Sequence, residues 1–385
     1  MANQNVSNPT FYIDFVQLAK AKGFFYDTAQ ITEGAVSNST NIVDEGKNMN
    51  VWYYDYTNPT SYSCEAGTSF GFKLSFWDTR EGSEDYNIEM AKLFAQTSWA
   101  GIINHNIKTS FNTDNIRIDF GFSSEVDEYA FEDDIPNGGF SQTYNVNNGI
   151  PVDKDGYSIV KGSSNFLPLD NLEHFGSFNL KVSREQGLDA SDFKIGSIAF
   201  GKRIQLPHSP DLNVRKSVEY DGVKITKSLK GADFVQVNHQ GQPDWLVGEP
   251  WTLKDYISNH FHGGDEGEIT GRVGRNGRRV WNLSYSQLSN DDVFYDLNER
   301  VVGGQTVFFN EEESQFNNND NVLVFKSATN EVQQIWDLTL GGSLSFLFNP
   351  GGDEFAICKL DTSSFTATQV ANHVWNINMK IVEVW

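Results

Sequence analysis

The chain closes with the stretch Gln369-Val-Ala-Asn-His-Val-Trp-Asn-Ile-Asn-Met-Lys-Ile-Val-Glu-Val-Trp385. Apolar side chains occupy every second position and polar side chains lie between them: Trp375, Ile377, Met379 and Ile381 alternate with Asn376, Asn378 and Lys380. A period of two is typical of a β-strand with one buried face. The stretch therefore predicts a closing strand, with Trp375 and Trp385 as anchors in the fold or at an interface.

The rest of the composition agrees with such a strand. The 385 residues include 29 Phe, 14 Tyr, 9 Trp and 33 Gly, and long runs of helix-forming residues are absent. Aromatic residues and turn formers favour β-structure, and this length is enough for two ordinary domains. We expect a mainly β fold of two antiparallel β-sandwich-like domains with long loops and a few short helices.

The domain boundary is predicted in the polar, turn-rich stretch 165–176, giving domains 1–175 and 176–385. The second domain is expected to carry long loops at 252–279 and 287–320. Within it, Val280–Ser286 alternates as a strand, Asp221-Gly222 is a hairpin-turn dipeptide, and Glu331–Leu340 is a candidate helix. Residues 141–165 are predicted to be a loop, and Phe11–Gly23 a short helix whose first residues could instead form a strand.

The net charge and the lack of a long apolar segment limit the kinds of molecule that this chain is expected to contact. The formal net charge is −22, with a sequence pI of about 4.6, so nucleic acid is not an expected partner. No run of 18 apolar residues is present, which predicts no membrane insertion. The first residues lack a basic start and an apolar stretch, so we expect synthesis in a cytoplasm. Cys64 and Cys358 are predicted to be free thiols.

Two polar clusters have metal-ligand character but poor spacing. Residues 125–134 carry six acids without the EF-hand pattern, so a solvated acidic loop is the preferred interpretation over a cation site. His260 and His262 precede Asp265 and Glu266 in a glycine-rich segment without a spaced partner. The chain has no nucleophile elbow, P-loop or dinucleotide fingerprint. We therefore predict no enzyme activity, no cofactor and no metal.

Two further groups are candidates for contacts with other molecules. The first is a basic patch in an acidic chain, which suits docking onto an acidic surface or, alternatively, is a solvated loop: Arg272, Arg275, Arg278 and Arg279. The second is an aromatic cluster, which could stack on sugar rings or belong to a core or interface: Trp52, Tyr53, Tyr54 and Tyr56.

Several stretches together resemble the uncharacterised virion structural proteins of marine tailed bacteriophages, especially contractile-tailed phages of cyanobacteria. The resemblance covers the first twenty residues and residues 193–385. Its main motifs are Asn5-Val-Ser-Asn-Pro-Thr-Phe-Tyr-Ile-Asp14, Leu206-Pro-His-Ser-Pro-Asp-Leu212, Gly277-Arg-Arg-Val-Trp-Asn-Leu-Ser-Tyr-Ser286 and the closing stretch. The chain departs from the usual motifs at Thr10, Asn282 and Val382.

The resemblance implies a particle component assembled in the host cytoplasm and located in the virion. We expect a tail or baseplate protein that forms symmetric copies through β-edge and aromatic interfaces, with itself and other virion proteins as partners. One alternative is a head or vertex accessory or decoration protein. Another is a virion protein that binds a host receptor or carbohydrate, with a host surface glycan as partner of the Trp52–Tyr56 cluster. An enzyme acting on polysaccharide has no supporting motif.

Overall fold

A computed structural model of the chain describes residues 8–21, 60–75, 96–107, 117–123, 150, 156–162, 177–219, 223–237, 278–293, 300–302, 305–307, 331–352 and 354–384. The prediction of a mainly β fold is confirmed, because strands supply most of these residues and form a large antiparallel sheet. The arrangement of sheets into sandwiches stays a prediction.

The strands, in chain order, are β1 (Thr10–Asp14), β2 (Thr60–Ser75), β3 (Trp99–His105), β4 (Arg117–Ser123), β5 (Gly156–Lys161), β6 (Ser177–Gln205), β7 (Arg215–Glu219), β8 (Val223–Lys227), β9 (Asp233–Val237), β10 (Arg278–Ser289), β11 (Arg300–Val302), β12 (Gln305–Val307), β13 (Phe346–Gly351), β14 (Glu354–Leu360), β15 (Thr366–Ala371) and β16 (Val374–Glu383). The helices are α1 (Phe15–Ala21), α2 (Asn290–Val293) and α3 (Glu331–Leu338).

The chain divides into two compact units. The N-terminal unit comprises Tyr12–Ile204 and Phe294–Asn330, and the C-terminal unit comprises Met1–Phe11, Gln205–Val293 and Glu331–Trp385. The boundary predicted in 165–176 lies outside the described residues, as does most of the predicted loop 252–279.

The N-terminal unit is organised on β6, a strand of 29 residues. Residues 177–183 of β6 pair antiparallel with both β2 and β4, which must therefore lie on opposite edges of it. Residues 195–201 pair with β3, which in turn pairs with β5. Strand β5 corrects the loop predicted for 141–165, because its register with β3 supplies the long-range hydrogen bonds that the local sequence does not reveal.

Helix α1 begins at a side-chain cap. The Asp14 carboxylate accepts hydrogen bonds from the backbone N–H groups of Val16 and Gln17, at 2.8 and 3.4 Å, which satisfies donors at the first turn. Close by, a Cβ on Gly201 would lie 2.1 Å from the carbonyl oxygen of Ile13, so the approach of these two backbones requires glycine. The described part of the Phe11–Gly23 segment, up to Ala21, is thus a strand that continues into a helix.

The C-terminal unit contains the strand order β13-β14-β16-β10-β7, with β15 also paired to β16. Strand β16 pairs antiparallel with β10 from Val374 to Val382. On its other side it pairs first with β15 and then with β14. The registers place β14 and β15 one after the other along the same side of β16, separated by a turn at 361–365.

The core of the C-terminal unit is aromatic. The Trp281 ring contacts the ring of Phe348 at a centroid distance of 5.3 Å, and Phe11 lies 5.5 and 5.3 Å from Phe346 and Phe348. Helix α3, predicted at 331–340, is confirmed, and it buries Val332, Ile335 and Leu338. Edge-to-face and tilted ring pairs of this kind add to the burial of apolar area.

The hairpin predicted across Asp221-Gly222 is wrong. Strand β7, before this dipeptide, pairs with β10, and β8, after it, pairs with β9. The tight turn lies instead at residues 228–232, where Gly231 has a φ of +84° and its N–H donates to the Ser228 carbonyl at 2.9 Å. Long-range register between β7 and β10 outweighs a local turn signal here.

Candidate interaction surface

The closing stretch is two strands rather than the one predicted, because Gln369–Ala371 end β15 and a turn at 372–373 leads into β16. Strand β16 has the expected buried face. Ile377, Met379 and Ile381 are at most 2% exposed. Across the pairing, Trp281, Leu283 and Tyr285 of β10 are equally buried, as their alternation predicted. Trp375 is half-buried, and its indole N–H donates to the Asn290 side-chain oxygen at 3.2 Å.

The buried face of β16 ends on an ion pair that the sequence interpretation missed. Glu383 and Arg279 have no exposed side-chain surface. The Glu383 carboxylate accepts the Arg279 backbone N–H at 2.8 Å, its Nε at 3.1 Å and its Nη2 at 2.8 Å. Nη2 also donates to the Phe355 carbonyl, and the guanidinium lies 5.2 Å from the Trp281 ring centroid. This density of contacts offsets the cost of burying both charges.

Arg279 is therefore an internal residue, which departs from the predicted docking patch. Its position on β10, opposite Val218 of β7 and beside β16, places the side chain inside the unit. Arg278, the neighbouring residue, is half-buried and lies opposite Glu219.

The remaining predicted contact residues cannot be placed in this fold. The following lie outside the described residues: Arg272, Arg275, Trp385, Trp52, Tyr53, Tyr54 and Tyr56. The acidic run 125–134 and the pair His260 and His262 lie outside them as well. Cys358 is buried and forms no disulfide, as predicted.

A more exposed surface is formed by β8 and β9, which the sequence interpretation did not single out. These two strands pair with each other, and within the part of the chain that the structure describes they pair with no third strand. Ile225 and Val235 face each other across the pair, and each is 60% exposed. Phe234 is 64% exposed and Leu229 at the turn is fully exposed. We call residues 223–237 the exposed hairpin.

The exposed hairpin has a hydrogen-bonded turn, but its apolar side chains remain exposed. Its turn is closed by Ser228, whose N–H donates to the Ala232 carbonyl at 2.8 Å and whose hydroxyl accepts the Ala232 N–H at 3.0 Å. A two-stranded hairpin with solvent on its apolar side chains is only marginally stable alone. Ile225 and Val235 share one face of the hairpin, and Phe234, opposite Thr226, lies on the other, so both faces expose apolar side chains that a partner could cover.

Strand β15 offers a second candidate contact, an edge that pairs with no further strand among the described residues. Its sequence Thr-Ala-Thr-Gln-Val-Ala contains no charged residue and no proline, and Val370 is 53% exposed. Among the described strands, β15 pairs with β16 alone. Its register with β16 shifts between Gln369 and Ala371, at Val370, but it lacks the lysine or proline with which proteins usually protect an edge that can accept a strand from another chain.

Strand β7, the last strand in the order β13-β14-β16-β10-β7, is an edge strand protected by charged side chains. Its five residues include Arg215, Lys216 and Glu219. The Lys216 ammonium lies 5.4 Å from the Trp281 ring centroid. Charged side chains disfavour edge-to-edge pairing. The charged edge of β7 should therefore resist a strand from a second chain, whereas the uncharged edge of β15 can accept one.

The motif Leu206–Leu212 folds over β10. The Asp211 N–H donates to the Ser284 carbonyl at 2.8 Å, and the Ser286 hydroxyl donates to the Asp211 carboxylate at 2.6 Å. The His208 ring lies 5.8 Å from that of Tyr285. Burial raises the pKa of Tyr285, and the charge of Asp211 raises it further. The motif is thus a clamp that covers a buried phenol.

One serine–histidine contact in the N-terminal unit has the wrong proton arrangement for nucleophilic catalysis. His105 Nε2 lies 2.9 Å from Ser158 Oγ, and Nδ1 accepts the backbone N–H of Ile107 at 3.3 Å. Because Nδ1 accepts, the neutral ring carries its proton on Nε2 and donates toward the serine, whereas a general base must accept there. Both side chains are 3% exposed, which fits a structural role.

Within the described ranges, no group of three or more His, Cys, Asp or Glu side chains is placed to hold a metal ion. None of the helices in these ranges has the length and apolar character needed to cross a membrane.

Comparisons with protein families, with curated proteins and with solved structures find no match to this chain. The features of this chain that bear on its function are the exposed hairpin, the β15 edge and the sequence motifs.

Proposed function

We propose that this chain is a structural component of a tailed-phage virion, in the tail or baseplate, and that it assembles as symmetric copies. The observation that carries the assembly role is the exposed hairpin, which holds Ile225, Leu229, Phe234 and Val235 in solvent. A surface of this kind is stabilised by burial against a partner. The resemblance of the sequence motifs to marine phage virion proteins is the reason for proposing that the assembly is a virion.

The proposal gives the chain no catalytic role and no cofactor. The buried ion pair of Arg279 and Glu383 and the clamp over Tyr285 hold the C-terminal unit together rather than forming a reaction site. Phe234 is an exposed aromatic that fits the predicted aromatic interface, in addition to the half-buried Trp375.

Mass spectrometry of gradient-purified particles from a phage that encodes this chain tests the proposal. We expect the chain in stoichiometric amounts, with antibody label at the tail or baseplate in electron micrographs. Absence from purified particles contradicts the proposal. Label confined to the capsid instead supports the head or decoration alternative, and the symmetry of the density it occupies separates the two, because threefold or sixfold rings belong to tails.

A further inference from the structure

We propose that the exposed hairpin of one copy adds through β9 to the β15 edge of the next copy, so that copies join head to tail. The inference rests on the proposed assembly function and specifies its contact. The partner is a second copy of this chain, because the chain carries both halves of the contact on one unit.

The two edges are similar in length and chemistry. Strand β9 has five residues, and β15 has six, of which Thr366–Gln369 pair with β16 in unbroken register. From Phe234 onward β9 carries no charge, and β15 carries none at all. A neutral strand can add to a neutral edge through main-chain hydrogen bonds without desolvating an ionised side chain. On the other strand of the hairpin, β8 carries Lys224 and Lys227, which protect its outer edge from the same pairing.

Charge also favours a copy of this chain as the partner. The exposed hairpin carries Lys224, Lys227 and Lys230 against the single acid Asp233, while the whole chain has a formal net charge of −22. A basic hairpin is attracted to an acidic molecule within about one Debye length, the distance over which salt screens charges. The same lysines would repel one another in a contact between two hairpins.

The contact joins two different surfaces, so it is heterologous. A heterologous contact repeats from copy to copy, and it closes into a ring when the rotation between copies divides a full turn. A two-fold contact between β15 edges, or between two hairpins, would instead stop at a dimer. This difference gives the inference a test that does not depend on knowing the copy number.

The test uses two full-length variants, each blocking one half of the contact. Val235→Lys places a charge on β9, and Val370→Lys places a charge on β15. Thr362→Lys, in the exposed turn before β15, is the matched control. We expect the wild type and Thr362→Lys to self-associate in sedimentation velocity and native mass spectrometry. Each blocking variant alone is expected to associate at least about tenfold more weakly.

Mixing the two blocking variants is the decisive step. The intact hairpin of Val370→Lys can dock on the intact edge of Val235→Lys, and the remaining surfaces are both blocked. We expect a one-to-one heterodimer that grows no further, a result that a misfolded variant cannot give.

Failure to form this heterodimer, self-association unaffected by either variant, or a wild type that stays monomeric at all concentrations would each overturn the inference. If the wild type assembles but ignores both substitutions, the inference fails while the virion role stands. Absence of the chain from purified particles removes the virion role instead.

Discussion

The two strands that flank β16, β10 and β15, differ sharply in how far their side chains are buried. On one side lies β10, whose Trp281, Leu283 and Tyr285 are at most 1% exposed. On the other lies β15, with uncharged side chains and Val370 53% exposed. A single closing strand thus contacts both a buried, fully packed neighbour and a neighbour with an open edge. The first accounts for stability, and the second is the surface that we assign to assembly.

Removing the charge partner at the buried end of β16 is expected to have the largest effect. In Glu383→Ala, the Arg279 guanidinium would remain buried with two of its hydrogen bonds lost, and the Arg279 backbone N–H would lose its acceptor as well. We expect a loss of about 3–5 kcal/mol in the free energy of unfolding, measured by urea denaturation.

The matched control is a more exposed ion pair that links Glu219 of β7 to Lys380 of β16. Glu219 and Lys380 lie 3.1 Å apart with side chains 54% and 27% exposed. Glu219→Ala should change stability by at most about 1 kcal/mol. Equal losses in the two variants would contradict the assignment of Glu383 as an interior residue.

Truncation on the buried face is expected to come next. Ile377 has no exposed surface, so Ile377→Ala should cost about 2–5 kcal/mol through lost burial and a residual cavity. Asn378, the next residue, is exposed and accepts a hydrogen bond from the Ser284 hydroxyl at 2.8 Å, so Asn378→Ala should cost at most about 1 kcal/mol. Thermal and urea unfolding of the two variants compare them directly. If Asn378→Ala proved the more damaging, the alternation of β16 would be assigned to the wrong faces.

A charge on the β15 side should hardly affect the fold. Val370 already lies in solvent, so we expect Val370→Lys to change the free energy of unfolding of the dilute protein by about 0.5 kcal/mol or less. Circular dichroism during urea denaturation, at a concentration below self-association, provides the measurement. A loss as large as that of Ile377→Ala would mean that β15 belongs to the core.

The smallest effect concerns the Tyr285 hydroxyl, which is buried without a hydrogen-bond partner among the described residues. Its pKa is raised in the folded state, first by burial. Stability from this group is therefore present below the unfolded pKa of about 10 and lost as pH rises above it.

The corresponding variant is Tyr285→Phe. We expect it to be at least as stable as the wild type at neutral pH, because an unsatisfied buried hydroxyl is removed. Above about pH 10 it should lose less stability than the wild type. Denaturation midpoints across this pH range test both statements, and a steeper alkaline loss in the variant would contradict them.

The sequence predicted the buried faces well, because periodicity is a local property. The alternation of 281, 283 and 285 and that of 377, 379 and 381 are both confirmed. The same period places Glu383 on the buried face, so an acid in phase with apolar residues was an available signal. Its partner lies 104 residues away, and only the register of β10 against β16 brings Arg279 to it.

The candidate contact surface was harder to predict for the same reason. Asp221-Gly222 has the composition of a hairpin turn, yet β7 pairs with β10 and β8 with β9. Exposure of Ile225 and Phe234 follows from which strands remain without a third neighbour. Neither the strand pairing nor the exposure of these side chains can be read from the residues of the hairpin alone.

Hydrogen–deuterium exchange of the full chain, at concentrations below and above self-association, tests the central claim most directly. Edge amides exchange freely until a second strand hydrogen-bonds to them. We predict that association slows exchange in β9 and β15 together and leaves the charged β7 unchanged. Unchanged exchange in β9 and β15, with protection elsewhere, would contradict the assignment of these edges to assembly.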